Sequence, residues 1–229
     1  MSHFICISIF PEIYTSFLST SLIGKAIEKN ILTITCINPR DFCIDKHRQV
    51  DDTVYGGGVG MLLKAEPIMQ AIEYCIAHYT DGQHFRVCMV TPSLQIFDQK
   101  IAQTWADDLV PTIFVCGRYE GFDHRILLWG RDTYPDQRWE VSIGKFVLLG
   151  GEVASMCMIE STIRLVPGIV GDHTSTVSES YSSPGLDMLE YPQYTKPQTV
   201  RGYDVPAILL SGHHHHIDQR KQQNRRRVE

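Results

Sequence analysis

The first two-thirds of the chain alternates apolar runs of strand length with stretches whose apolar residues recur at helical spacing. Phe4–Phe10 is an apolar run closed by Pro11-Glu12 and predicts a buried first strand. Tyr14–Asn30 predicts a helix, and Leu32–Ile37 the next strand. Ile68, Ile72 and Ile76, four apart, place a helix over Pro67–His78. Arg86–Val90 and Thr112–Cys116 predict strands, with a helix over Gln99–Asp107 between them, and Asp123–Leu128 opens a further helix. Lys145–Leu149, apolar and bounded by Gly144 and Gly150-Gly151, predicts another buried strand. Met156–Leu165 predicts a helix that ends before Pro167-Gly168. Such alternation argues for an α/β fold, a mainly parallel sheet with helices on both faces.

The pattern changes after Pro167. Residues 171–184 are rich in Ser and Thr and nearly free of apolar side chains, which reads as a mobile linker. The organisation expected is a main domain over 1–168, a flexible linker over 169–188 and a small helical domain over 189–229. The last of these ends in Arg220, Lys221, Arg225, Arg226 and Arg227, opposed only by Asp218 and Glu229. Elsewhere acid prevails: the net charge is -5, so a nucleic-acid site must be a local patch. Seven scattered cysteines form no C-x-x-C pair, which argues for reduced thiols in the cytoplasm and against a structural zinc. No apolar run approaches the roughly 18 residues of a membrane span. The N-terminal run lacks a basic leader and reads as a strand, not a signal peptide. His213–His216 continues into further chain and reads as a native loop or helix start.

Three strand ends deliver glycine or small polar residues: Thr91-Pro92-Ser93, Gly117-Arg118-Tyr119-Glu120-Gly121, and Ser142-Ile143-Gly144 with Gly150-Gly151. In open α/β sheets, ligands bind beyond the carboxyl ends of the strands. Loops of this composition would hold a flat, adenine-like group against backbone N–H and C=O groups. No segment matches G-x-G-x-x-G opening a helix or G-x-x-x-x-G-K-[ST], so dinucleotide and P-loop readings are disfavoured. A second glycine-rich loop, 51–61, is flanked by Asp51-Asp52, and upstream Arg40, Lys46, His47 and Arg48 offer a positive rim for phosphates.

Taken together, these segments resemble the bacterial tRNA (guanine(37)-N1)-methyltransferase family, of the SPOUT class. The matching stretches are P-R-D-F (39–42), V-D-D-T-V-Y-G-G-G-V-G-M (50–61), C-G-R-Y-E-G-F-D-H-R (116–125), V-S-I-G-K-F-V-L-L-G-G-E (141–152), V-P-G-I-V-G (166–171), L-E-Y-P-Q-Y-T-K-P (189–197) and V-P-A-I-L-L-S-G-H-H (205–214). They stand in the family's order.

The resemblance implies a deep trefoil knot in the parallel sheet, an obligate homodimer with active sites built from both subunits, and a tRNA substrate. It implies S-adenosylmethionine (SAM) as methyl donor, held bent by Val90, Thr91, Pro92, Gly117, Tyr119, Glu120, Gly121, Ser142, Ile143, Gly144, Phe146, Val147, Leu148, Gly150 and Gly151. The target would be N1 of guanine 37, just 3′ of the anticodon, in tRNAs where guanine 36 precedes it, a modification that helps maintain the reading frame. Asp52, Tyr55, Gly57, Gly58 and Glu190 match substrate-contacting positions. Guanine N1 must lose a proton as the new bond forms, while charge gathers on O6, so the site needs a base and a cation. Arg164 matches the family's O6-stabilising arginine. Glu179-Ser180-Tyr181 stands where the family has aspartate, serine and an aromatic residue, which makes Glu179 the base; Asp172 and Asp187 are the fallback candidates. Glu120 matches a position that holds the methionine amino group or Mg²⁺. Lys145 departs from the aspartate common there. Two other activities fit the same class: ribose 2′-O-methylation, or tRNA binding without catalysis.

Overall fold

The computed structural model describes residues 2–82, 84–93, 95–137, 139–171, 179–182 and 188–227. Two compact units divide the chain, Met1–Gly171 and Asp172–Glu229. In chain order the first holds β1 (Ser2–Ile7), a 3-10 turn (Pro11–Tyr14), α1 (Thr15–Ser19), α2 (Ser21–Glu28), β2 (Leu32–Ile37) and a second 3-10 turn (Pro39–Phe42). A hairpin of β3 (Asp51–Thr53) and β4 (Met61–Leu63) follows, then α3 (Ala65–Tyr79), β5 (Arg86–Val90), α4 (Gln99–Asp108) and β6 (Thr112–Cys116). The unit closes with α5 (Arg125–Thr133), β7 (Glu140–Val141) and α6 (Glu152–Ile163).

The central sheet is parallel throughout, in the order β2-β1-β6-β5-β7. Successive side chains of a strand face opposite ways, and the core follows that rule. Phe4, Cys6, Cys88, Val90, Phe114 and Cys116 face one side, where Ala102 and Ala106 of α4 and Met158 and Ile159 of α6 pack; Cys116 there bonds the buried Tyr14 hydroxyl. Ile5, Ile7, Val87, Met89, Ile113 and Val115 face the other, against Ile68 and Ile72 of α3 and Ile126 of α5. Burial on both faces explains why these strands read as near-continuous apolar runs. It also silences the thiols: desolvation pushes Cys75, Cys88 and Cys116 each up to about 12, so they stay protonated and unreactive.

In the first unit the structure departs from the expected elements at four places. Lys145–Leu149 is not a strand; the strand is the shorter β7, and residues 145–149 form an exposed loop. Strand length and apolarity do not require sheet pairing, and here the apolar side chains turn toward a cleft or outward. Tyr14–Asn30 is not one helix. Thr20 is extended and Ser21 takes a positive φ between α1 and α2. Ser19 and Thr20 hydroxyls bond back to the Thr15 and Ser16 carbonyls at 3.0 and 2.5 Å, an alternative to continued helix. The last helix of the unit begins at Glu152, four residues before the periodic pattern. The loop over 51–61 is carried by the β3–β4 hairpin, whose strands are too short to show a period.

The second unit holds β8 (Met188–Leu189), β9 (Thr199–Val200), β10 (Tyr203–Asp204), α7 (Ala207–Leu210), α8 (His214–Gln223) and β11 (Arg226–Arg227). It is therefore not purely helical: β9 pairs with β10 and β8 with β11, both antiparallel. The histidine run opens α8. Much of the expected linker, including Asp172 and Asp187, lies outside the described residues.

Candidate active site

Beyond the carboxyl ends of β5, β6 and β7, three loops enclose a cleft of about 770 Å³, open mouth included. It is lined by Val90, Thr91 and Pro92 after β5, by Gly117 through Phe122 after β6, and by Val141 through Ile143 after β7. Phe146 through Gly151 and Ala154 complete the wall. Every residue assigned above to the methyl donor lines this cleft except Gly144, where the Phe146 ring occupies the place of a side chain. Arg118, Phe122, Val141, Leu149 and Ala154 also line it and were not among them. Of these, Arg118, Phe122, Val141 and Leu149 fall inside the matching stretches 116–125 and 141–152, and Ala154 lies outside them.

Local sequence explains the cleft's shape. Gly151 lies so close to the end of β6 that a Cβ there would stand 2.8 Å from the Cys116 Cα. The Gly151 N–H donates to the Gly117 carbonyl at 2.9 Å, which staples the two loops. Ser142 Oγ donates to the Gly144 carbonyl at 2.8 Å and accepts from the Gly144 N–H at 3.2 Å, tightening the turn after β7. Tyr119 is held at φ +59°, a strained conformation for a bulky side chain, and such strain gathers at functional sites. The β4 hairpin enforces it: the Glu120 N–H donates to the Met61 carbonyl at 3.0 Å, and the Leu63 N–H to the Gly121 carbonyl at 2.9 Å. Gly60 leaves room for Glu120, since a Cβ there would meet Glu120 Oε1 at 2.6 Å.

The other candidates lie apart from the cleft wall. Asp52 pairs with Lys64 at 3.7 Å on β3. Tyr55 is 95% exposed, and Gly57 and Gly58, both at positive φ, meet nothing within 4 Å where a Cβ would be. Arg164 caps the C-terminal end of α6, whereas Gly151 and Ala154 meet the cleft at the other end. Twelve helical residues separate the two ends by about 18 Å. In the second unit, the Glu179 carbonyl accepts from the Ser182 N–H and Oγ at 3.2 and 2.7 Å, and Arg225 Nη2 donates to it at 3.5 Å. The Glu190 N–H donates to Ser180 Oγ at 3.0 Å, and Gln193 donates to the Glu190 carboxylate. Among the described residues, no group of three or more His, Cys, Asp or Glu side chains could hold a metal ion. No described helix is long and apolar enough to cross a membrane.

The fold and the cleft define an α/β protein with a cleft of small-molecule size at the carboxyl edge of a parallel sheet, between glycine-rich loops, where such folds place their ligands. The family described as tRNA (Guanine-1)-methyltransferase TrmD matches residues 2–229. The chain belongs to that family. It is 44% identical over 206 residues to a tRNA (guanine-N(1)-)-methyltransferase of Brevibacillus brevis, covering 90% of this chain and 79% of the relative. A protein of the same name from Lactiplantibacillus plantarum is 44% identical over 207 residues, covering 90% and 78%. The Treponema denticola protein is 42% identical over 207 residues, covering 90% and 79%.

Proposed function

We propose that the protein methylates N1 of a guanine in tRNA, with SAM as donor. Family membership along residues 2–229 carries this reading, and the glycine-walled cleft accords with it. The ribose and non-catalytic alternatives are not favoured, since the relatives share the guanine-N1 name. SAM supplies, when bound, an electrophilic methyl group on a sulfonium. The cleft residues hold and bend it, in loops that would form a trefoil knot. Glu179 takes the N1 proton, and Arg164 faces O6 as charge gathers there. Asp52, Tyr55, Gly57, Gly58 and Glu190 contact the tRNA, with guanine 37 as target when guanine 36 precedes it. The seven cysteines, all free, accord with a reducing cytoplasm.

The length of α6 bears on assembly. Arg164 stands at the far end of α6 from Gly151 and Ala154 of its own cleft, which accords with an active site that draws on a second copy. The side chains of Tyr55, Val59, Val147 and Leu149 are all more than four-fifths exposed, and a homodimer would cover such apolar surface. On this reading, residues 1–168 bind the donor, 169–188 link, and 189–229 bind tRNA through the basic end of the chain.

Glu120 is the cleft carboxylate for the methionine amino group, or for Mg²⁺ together with water and substrate oxygens. Gly60→Ala tests its placement. Alanine would be strained at φ +101°, at a cost of about 1–3 kcal/mol, and its methyl group would displace Glu120. SAM affinity by titration calorimetry is expected to fall, and unchanged affinity would remove Glu120 from the donor site. The activity itself is read from radiolabelled methyl transfer to tRNA transcripts with guanine or adenine at 36. The label is expected in 1-methylguanosine at 37, and mainly with guanine 36. A 2′-O-methylated product, or tRNA binding without transfer, would overturn the reading.

A further inference from the structure

Behind the cleft, Glu152 is buried, its side chain only 1% exposed. Its carboxylate pairs with Arg118 Nη2 at 2.9 Å and accepts from Ser8 Oγ at 2.6 Å. Ser8 Oγ also accepts from the Phe10 N–H at 3.0 Å, and the Arg118 guanidinium lies over the Phe10 ring at 4.9 Å. These residues come from three places: the end of β1, the loop after β6 and the first turn of α6. Gly150 is shaped to them, since a Cβ there would lie 2.6 Å from both Arg118 Cζ and Glu152 Oε2. Arg118 itself lines the cleft. Its Nε is buried without a hydrogen-bond partner among the described residues, which leaves a donor unpaired behind that wall. A buried ion pair is weak support for a fold, because apolar residues of similar size often replace one without loss. Here it joins the very loops that face the ligand.

We propose that Arg118 and Glu152, with Ser8, are positioning residues that set the spacing of the two loops gripping the methyl donor; this rests on the donor site proposed above. Glu152 anchors the 150–152 loop to β1, and Arg118 carries that anchor to the loop after β6. The pair thus acts through Gly117, Tyr119, Gly150 and Gly151, which face the ligand.

The double variant Arg118→Met/Glu152→Leu separates positioning from stability, because it leaves no buried charge unpaired. Its melting midpoint is expected near that of the wild type. Its KM for SAM is expected to rise about tenfold or more, as for a displaced binding group, with the larger part of the loss in KM rather than kcat. Arg118→Lys and Glu152→Asp keep both charges and alter only their reach. They cover the case in which the double variant fails to fold, and each is expected to raise KM with little change in melting. Wild-type KM in a folded double variant, or in both conservative variants, overturns the positioning role. Failure of the wild-type protein to bind SAM in calorimetry would instead overturn the donor site, and this inference with it.

Discussion

Glu179→Gln is expected to slow methyl transfer by about 10²–10⁴-fold, the usual contribution of a positioned base. Glutamine keeps the shape of the side chain and removes its ability to take the N1 proton. The turn that carries Glu179 is held in part through its backbone. Ser182 and Arg225 bond to its backbone carbonyl, and the Tyr181 N–H bonds to the Met188 carbonyl at 2.8 Å. The variant should therefore fold and bind SAM as the wild type does. Arg164→Ala removes the cation proposed to face O6 and is expected to cost about 10²–10³-fold, as loss of a single oxyanion donor does. Single-turnover transfer to a transcript with guanine 36 and 37, beside SAM titration, reads both. Wild-type rates in the two variants would remove Glu179 and Arg164 from the chemistry.

Gly151→Ala should damage the fold and the donor site together. The backbone at Gly151 has φ -81°, which any residue adopts, so conformational freedom is not the reason for glycine here. Space is the reason. The added Cβ would stand 2.8 Å from Cys116 Cα, 3.1 Å from the Gly117 nitrogen and 3.1 Å from Val90 Cβ. Two of these are backbone atoms at the end of a central strand and cannot swing aside. Overpacking of this kind costs about 1–3 kcal/mol, or a few degrees of melting temperature per kcal/mol in a chain of this size. The same displacement pulls α6 away from the loop after β6, so SAM binding should weaken as well. A variant with the melting curve and SAM affinity of the wild type would show that the contact is easily relieved.

What could be read from the sequence followed from burial. β5 and β6 stand at their expected limits because strands buried on both faces are apolar almost without interruption, whereas β2, a half-buried edge strand, alternates apolar residues with Thr33 and Thr35. The same cue misled at Lys145–Leu149, where the apolar side chains belong to a loop and composition alone does not separate the two cases. Strands β3, β4 and β7 have two or three residues each, too few for any period. The strand-end loops were legible because glycine and small polar residues cluster there, and the structure gathers them around one cleft. The Arg118–Glu152 pair was not legible. It depends on residues 8, 118 and 152 converging, and nothing local to any of them shows that. Arg164 shows a different limit: its place in the chain was clear, but its distance from the cleft needed the length and direction of α6.

The strand order sets a schedule for the growing chain. β1 lies between β2 and β6, and Phe4 pairs with Thr112 in that second neighbour. A ribosome adds about 5–20 residues per second. The first strand therefore waits roughly 5–20 s for its second partner, and longer for Glu152, the acceptor for Ser8, to reach it. Through that interval β1 has a strand partner on one side only, β2, with α3 available to cover Ile5 and Ile7. The nascent chain carries an open strand edge for that time, and its sheet is complete only once Val141 has been added.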